Sequence, residues 1–399
     1  MKKNGVIAFA IILTLIFSTV AYGATTPATP AITTTGITTT DLSLENGMVF
    51  TGEEMKMSLE QVKTLVMTSS AGIEMAKINM AANKAKTESY YQAYRKATAG
   101  YEVPGFGTMT ASRTEKEMGK LAASFALAQS ENNYQAEINN LNANTIKTYF
   151  ELQQAINATA ISKSNLATQE TILKNTNTKF RLGVSSKQDV LKAEIASNQA
   201  KVDLSTAQSR ESLARMSYNV YFGFPLMQKV VLTDSLATTE LSKITLKDAI
   251  DLALKNRNEI TGAAFALKYK QLNLTNVGNN YSKTSSYYLQ AQADLMLAQK
   301  NAKEIPLNIE LDVRNKYMTM MIAKSSVDLG KLSADKATET YRLAKLQYDM
   351  GMATLTDVEQ AQAGAYGAQL QYSQNLLNLK LAVVAYDQAT TVGTYSVMF

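Results

Sequence analysis

The sequence predicts a mainly α-helical protein whose very long antiparallel helices form two tandem repeats in a coiled-coil-like bundle. Three observations predict it. First, "FRLGVSSKQDVLKAEIASNQAKVDL" (180–204) is echoed by "YDMGMATLTDVEQAQAGAYGAQLQY" (348–372), with Gly183, Asp189, Val190 and Ala193 matched by Gly351, Asp357, Val358 and Ala361. The offset is constant at 351 − 183 = 168, as expected of a duplicated unit. Second, helical text runs from about Arg113 to Phe180 and from about Lys303 to Tyr348. At ~1.5 Å rise per residue the first stretch approaches ~100 Å, a length that stays ordered only alongside other helices. Third, Val190, Ala193, Ser197, Ala200, Leu204, Ala207, Ala214 and Tyr218 follow alternating steps of three and four with polar Glu211 interrupting the series, the repeat of a left-handed coiled coil. Val358, Ala361, Ala365, Ala368, Tyr372, Leu379 in a shifted step, Ala382 and Tyr386 form the partner series.

The elements follow in order. Lys2 and Lys3 precede the apolar run "VIAFAIILTLIFSTV", and Ala21 and Gly23 are small residues suited to cleavage before Ala24, so residues 1–23 read as the signal peptide of an exported protein. Residues 24–50 open with "ATTPATPAITTTGITTT", a Thr/Pro-rich linker. The first helical repeat is assigned to 57–223. It starts at Ser58, followed by Glu60 and Gln61, a helix-start pattern. "MSLEQVKTL" from Met57 resembles "ITLKDAIDL" from Ile244, at an offset of 244 − 57 = 187. The first repeat therefore carries 187 − 168 = 19 additional residues between its first helix and the next, where "TAGYEVPGFGTMTAS" (98–112) interrupts the helical text. The matching interruption in the second repeat is "NVGNNYSKTSSYY". A connecting segment, 224–243, breaks the helix at Pro225 and holds one strand-like run, "KVVLTD". The second repeat spans 244–390, and 391–399 is a tail.

Composition narrows the function. With no Cys, His or Trp, the chain has no disulfide, thiolate or imidazole chemistry, which argues against an enzyme and leaves no metal site or cofactor to propose. With 19% charged residues it is too polar for a bundle of membrane helices. The formal charge of +6 falls to 6 − 2 = +4 without Lys2 and Lys3, and it is scattered, which excludes a basic stripe for nucleic acid.

Each long helix ends at a glycine and a new helix begins at once. Gly183 and Gly351 can take the positive φ that closes a last helical turn, while Ser186 stands three before Asp189 and Thr354 three before Asp357, as in capping boxes. Leu182 and Val184 flank one glycine, Met350 and Met352 the other, apolar side chains where solvent selects polar ones. The doubled pattern of aromatic, glycine, Asp-Val and heptad-spaced alanine, together with "SLEQVKTL", "TLKDAIDLAL" and "YFGFPL", resembles the outer-membrane efflux protein family, the TolC-like channels, over residues 57–390.

The resemblance implies a homotrimer whose helical repeats wall a periplasmic tunnel, with a β-barrel in the outer membrane. It further implies that the hairpin tips dock a periplasmic adaptor (membrane fusion) protein linked to an inner-membrane pump, in an efflux or type I secretion system. On this chain the adaptor contacts would be Leu182, Gly183, Val184, Met350, Gly351 and Met352. Asp357 matches a constricting acidic position, while Gln360 stands where some members have a second acid. For Asp189 and Asp357 the Ser/Thr-x-x-Asp context favours capping over gating. A membrane-crossing strand needs about 9–11 residues of alternating character. Neither interruption supplies two, so the barrel is expected to be truncated or absent and the tunnel retained. The alternatives to an exit duct are a non-channel structural tube of the cell envelope and a coiled-coil binding module.

Overall fold

The computed structural model describes residues 50–393, apart from 70, 104–106, 110 and 237–238. The signal peptide, nearly all of the linker and the end of the tail lie outside the described residues. Twelve elements follow in order: β1 (Thr51–Met57), α1 (Leu59–Ser69), α2 (Ala71–Ala99), β2 (Tyr101–Val103), β3 (Gly107–Met109), α3 (Arg113–Arg181), α4 (Lys187–Phe222), β4 (Gln228–Leu232), α5 (Leu246–Asn256), α6 (Asn258–Asn280), α7 (Ser286–Asp349) and α8 (Leu355–Ala389). The fold is mainly α, and the described strands form two two-stranded sheets with no closed barrel among them.

The duplication holds nearly to the residue. Adding 187 to the bounds of α1 gives those of α5, and adding it to the first residue of α2 gives the first of α6. Adding 168 to the last residue of α3 gives the last of α7, and to the first of α4 the first of α8. The two copies occupy different surroundings. α3 packs on α1, α2, α4, α6 and α8, and α7 packs on α5, α6 and α8. In the elbow half of the bundle the helices therefore run α4, α3, α8, α7, with α4 and α7 as the two edges.

Local rules account for most boundaries. α3 starts in a full capping box, Ser112 with Glu115, and ends one residue beyond the predicted Phe180. The second long helix is a correction: it begins at Ser286, 303 − 286 = 17 residues before the expected start at Lys303, and continues through Pro306. Proline is costless only in a first helical turn, so local chemistry favours a start beside it. Burial overrides that preference, because Ala291, Ala298, Ile309 and Val313 sit inside on one face of the uninterrupted helix. A second difference is that the opening helix of the second repeat is broken into α5 and α6, where Arg257 takes an extended conformation, φ −63° and ψ 133°.

The predicted strand in the connecting segment is β4, and its partner is the unpredicted β1. They pair in parallel, with Met55 opposite Val230 and Met57 opposite Leu232. This small mixed region is welded to the helices by Tyr149, whose hydroxyl shares its one proton between the Met57 carbonyl (3.0 Å) and Asp234 Oδ2 (2.8 Å). Asp234 in turn accepts from the Leu59 amide at 2.7 Å and so caps α1. The main core runs through this level, with Tyr149, Tyr218, Leu152, Val313, Met320 and Tyr386 fully buried. At the ends remote from the elbows, β2 and β3 form a three-residue hairpin and 281–285 a short turn. No described helix is long and apolar enough to cross a membrane.

Candidate functional site

The two elbows where α3 passes into α4 and α7 into α8 carry all the residues singled out by sequence. Both long helices close with the same backbone pattern. The Gly183 amide donates to the Phe180 carbonyl (2.9 Å) and the Val184 amide to the Lys179 carbonyl (2.9 Å). Gly351 donates to Tyr348 (3.1 Å) and Met352 to Gln347 (2.8 Å). These are paired Schellman closures, and each needs a left-handed residue after the helix. Gly183 and Gly351 supply it with φ +75°, and space for a Cβ at either is open. The constraint is conformational rather than steric.

The following helices start in complete capping boxes. Asp189 Oδ2 accepts from the Ser186 amide (3.0 Å) and hydroxyl (2.8 Å) and from the Ser185 hydroxyl (3.1 Å). Asp357 Oδ2 accepts from the Thr354 amide (2.8 Å) and hydroxyl (2.7 Å). Hydrogen bonds from Ser186 and from Thr354 hold the two carboxyls below the ordinary aspartate value. Both thus stay ionised and add negative charge at helix N-termini, where the helix dipole favours it.

The apolar flanks stand in solvent: Leu182 is 73% exposed, Val184 72%, Met350 55% and Met352 68%. A small separate core, Ile172, Ala193, Leu355 and Val358, lies just behind them. Lys179 fastens one elbow to the other. Its Nζ lies 3.3 Å from Asp349 Oδ1, donates to the Tyr348 carbonyl at 3.3 Å and sits 3.6 Å from the centre of the Tyr348 ring. Lys192 adds a second tie, donating to Thr356 Oγ1 at 3.0 Å. The four apolar flanks therefore belong to one joined tip. Gln360 is exposed and shares the α7–α8 groove with Asp357 and Met352.

Sequence reasoning missed the seam behind the tip. Along α3 and α8, buried Ser162 meets the half-buried Tyr366 (2.9 Å), and Gln362 donates to Asn165 Oδ1 (2.9 Å), both buried. Nearer the elbow, Glu359 is half-buried with its carboxyl pushed up by burial, between Lys192, which opposes the shift, and Asp189, which adds to it. Helical periodicity could have placed these positions inward. The identity of the facing helix could not be read from it. Among the described residues no group of carboxylates is gathered to hold a metal.

Comparison with known proteins agrees with this architecture. Residues 271–391 match the sequence pattern of the family described as outer membrane efflux protein. No curated protein matches the chain. Among solved structures, the outer membrane protein VceC from Vibrio cholerae is 12% identical, with a TM-score of 0.67 over 84% of this chain and 97% of that one. A membrane protein from Pseudomonas aeruginosa is 13% identical with a TM-score of 0.68, covering 84% and 90% of the two chains. The CmeC outer membrane channel from Campylobacter jejuni is 13% identical with a TM-score of 0.66, covering 85% and 86%. At such identities the structural likeness is one of fold. Residues 271–391 therefore match the outer membrane efflux protein family, within a chain that has the fold of the outer-membrane channels.

Proposed function

We propose that this protein is the passive exit duct of a tripartite efflux or type I secretion system, exported to the periplasm and outer membrane, and that its joined elbows dock the periplasmic adaptor of an inner-membrane pump. The observation that carries the reading is the tip itself. Two identical glycine closures present Leu182, Val184, Met350 and Met352 to solvent in a chain with an outer-membrane channel fold. Such a patch has no role in the isolated chain and fits an apolar partner surface. A duct gains direction from its pump and needs no catalysis of its own.

A duct also needs a closed wall, and the edges of the chain fit one. Leu191, Ile195, Val202, Leu213 and Val220 are exposed along one face of α4, in steps of four, seven, eleven and seven residues. Leu307, Leu311, Met318, Ile322, Leu329 and Leu343 form a matching exposed stripe on α7. The duplication says what they meet. Met318 and Ile322 are the counterparts of Phe150 and Gln154 on α3. The Phe150 ring takes Lys380 of α8 at 5.0 Å, and Gln154 shares a cavity with Tyr366 and Leu370 of α8. Val202 and Leu213 are the counterparts of Leu370 and Leu381. The α3–α8 contact within one chain is thus the pattern for an α7–α4 contact between chains, and a head-to-tail contact that closes makes a ring. Three copies are the number implied by the family.

Two measurements test the proposal. Photocrosslinkers at Leu182 and Met350 should capture the adaptor when both are co-expressed, and purified oligomers should conduct ions across planar bilayers. Capture without conductance would favour the second reading, an envelope tube that does not cross the outer membrane, to which the shortness of the β2–β3 pair and of the 281–285 turn lends weight. Neither result would leave a coiled-coil binding module. If three copies of Asp357 and Gln360 line the entrance, Asp357→Ala should change cation selectivity.

A further inference from the structure

The end of the bundle remote from the elbows carries an aromatic and basic surface that the elbows lack. α6 stops at Asn280, and the turn at 281–285 leads straight into α7. The turn is ordered by its own bonds: the Tyr281 amide donates to the Val277 carbonyl (2.8 Å) and the Ser285 amide to the Ser282 carbonyl (2.9 Å). Ser285 then caps α7, its hydroxyl accepting from the Tyr288 amide at 3.2 Å. Tyr288 lies back on α6 at Gly278, where a Cβ would come within 3.2 Å of its ring. Tyr281 and Tyr287 instead stay in solvent, 48% and 63% exposed, with ring centres 4.8 Å apart. Leu289, two residues on, is also exposed.

The first repeat reaches the same level, because the Ser112 hydroxyl at the start of α3 donates to Asn276 Oδ1 of α6 at 3.1 Å. Over residues 90–116 and 276–290, Arg95, Lys96, Arg113, Lys116 and Lys283 stand against Glu102 and Glu115, 5 − 2 = +3. Glu115 is itself engaged in the capping box with Ser112. Arg95, Lys96, Arg113 and Lys283 are exposed and form no ion pair among the described residues. Over the elbow stretches 176–190 and 345–360, four basic residues meet four acidic ones, 4 − 4 = 0. The far-end stretches also hold seven of the chain's 20 tyrosines, and the elbow stretches one, Tyr348.

We infer that this end seats on an anionic lipid surface, with Tyr281 and Tyr287 in the headgroup layer and Arg95, Lys96, Arg113 and Lys283 over the lipid phosphates. A tyrosine joins an apolar ring to a polar hydroxyl, which suits the boundary between acyl chains and water. The basic side chains carry their charge past that boundary on long apolar stems. An end of net positive charge is drawn to anionic lipid, and a charge-balanced elbow is not. The depth agrees. The β2–β3 ladder has three residues a strand, a rise of about 10 Å against a hydrocarbon core of about 30 Å, so these strands reach into the interface. The inference rests on the envelope location in the reading above and names the surface that the far end meets; it does not depend on conductance.

Because the chain has no tryptophan, Tyr287→Trp gives the full protein a single fluorescent reporter at this end, and Leu182→Trp gives one at the elbow. With vesicles of phosphatidylcholine and phosphatidylglycerol, emission from the Tyr287→Trp protein should shift to the blue and be quenched by brominated acyl chains. With phosphatidylcholine alone, or with Lys283→Glu and Arg113→Glu added, the affinity for vesicles should fall several-fold. The Leu182→Trp protein should show no shift. No shift at the far end, an equal one with neutral lipid, or equal shifts from the two reporters would overturn the docking. So would a shift produced by cell-wall glycan fragments and not by vesicles. Adaptor capture from Leu182 and Met350 is read separately: capture without the vesicle response leaves the duct standing, and the vesicle response without capture keeps the lipid-facing end and removes the duct.

Discussion

At the elbows the two repeats agree almost atom for atom: the same Schellman closure, the same glycine at φ +75° and the same three-residue capping box. At the opposite ends of the same long helices they have drifted apart. The first repeat reaches α3 through the β2–β3 hairpin, whereas the second reaches α7 through the short turn at 281–285. Phe125 of α3 and Phe265 of α6 stack, whereas the residues at the matching positions of the other repeat, 125 + 168 = 293 and 265 − 187 = 78, are Ala293 and Ile78. Both ends descend from one duplicated unit, so the contrast lies in what each end must satisfy. The elbows present one surface from two copies, which holds their local chemistry alike. The far ends meet different neighbours and are free to differ.

The largest effect that bears on this contrast is expected behind the tip. Leu355 is 2% exposed and anchors the small elbow core. Leu355→Ala should cost about 2–5 kcal/mol, the range for an emptied leucine site. Because that core is separate from the main one, amide exchange should speed up at 341–360 and stay slow around Tyr149 and Val313. Uniformly faster exchange would show that the elbow is not an independent unit.

A smaller and more specific effect is expected at the glycines. With open space around Gly183 and Gly351, Val at either position meets no clash and must only adopt positive φ, at a cost of roughly 1–2 kcal/mol or a refolded tip. Helical circular dichroism should be largely kept while adaptor crosslinking is lost. Unchanged crosslinking would argue against docking through the tip. Below this come the caps. Ser186→Ala and Thr354→Ala should each cost about 1 kcal/mol in thermal or denaturant melts. Ser112→Ala should cost a similar amount at the far end, because its box with Glu115 has the same bonds. Equal losses at both ends would confine the contrast to tertiary partners.

That division matches what could be read in the sequence. The bounds of α3, the glycine closures and the capping aspartates are written within a few residues of themselves, and the structure places them as expected. The start of α7 was not legible, because Pro306 signals a beginning and only the buried faces of Ala298 and Ile309 overrule it. β1 was missed for a similar reason. "TGEEMKM" has no strand pattern of its own and is held by pairing with β4, 228 − 51 = 177 residues away at its first pair. The inward polar pairs, Ser162–Tyr366 and Asn165–Gln362, depend on which helix faces which. The order α4, α3, α8, α7 supplies that, and periodicity does not.

The subtlest consequence concerns protons at the elbows, where two kinds of carboxyl titrate in opposite senses. Asp189 and Asp357 have folded pKa values below the ordinary 3.8, so their stabilisation is complete above that value and is lost as pH falls through the folded ones. Glu359 behaves oppositely. Burial raises its carboxyl above 4.5, and its Oε1 is buried with no hydrogen-bond partner among the described residues. The protonated form is therefore favoured in the folded state. Its contribution is fully present below pH 4.5 and is lost as pH rises through the folded value. Elbow stability should thus rise as pH is lowered from neutral toward 4.5, then fall below 3.8. The capping box of the far end shows only the falling limb, like Asp189 and Asp357, since Ser112 holds Glu115 below its ordinary value. Glu359→Gln should abolish the rising limb at the elbow and leave the falling one, as read by amide exchange at 355–362 across a pH series corrected for intrinsic exchange. A rising limb that survives the substitution would assign it to another group and remove Glu359 from the account of how the two ends differ.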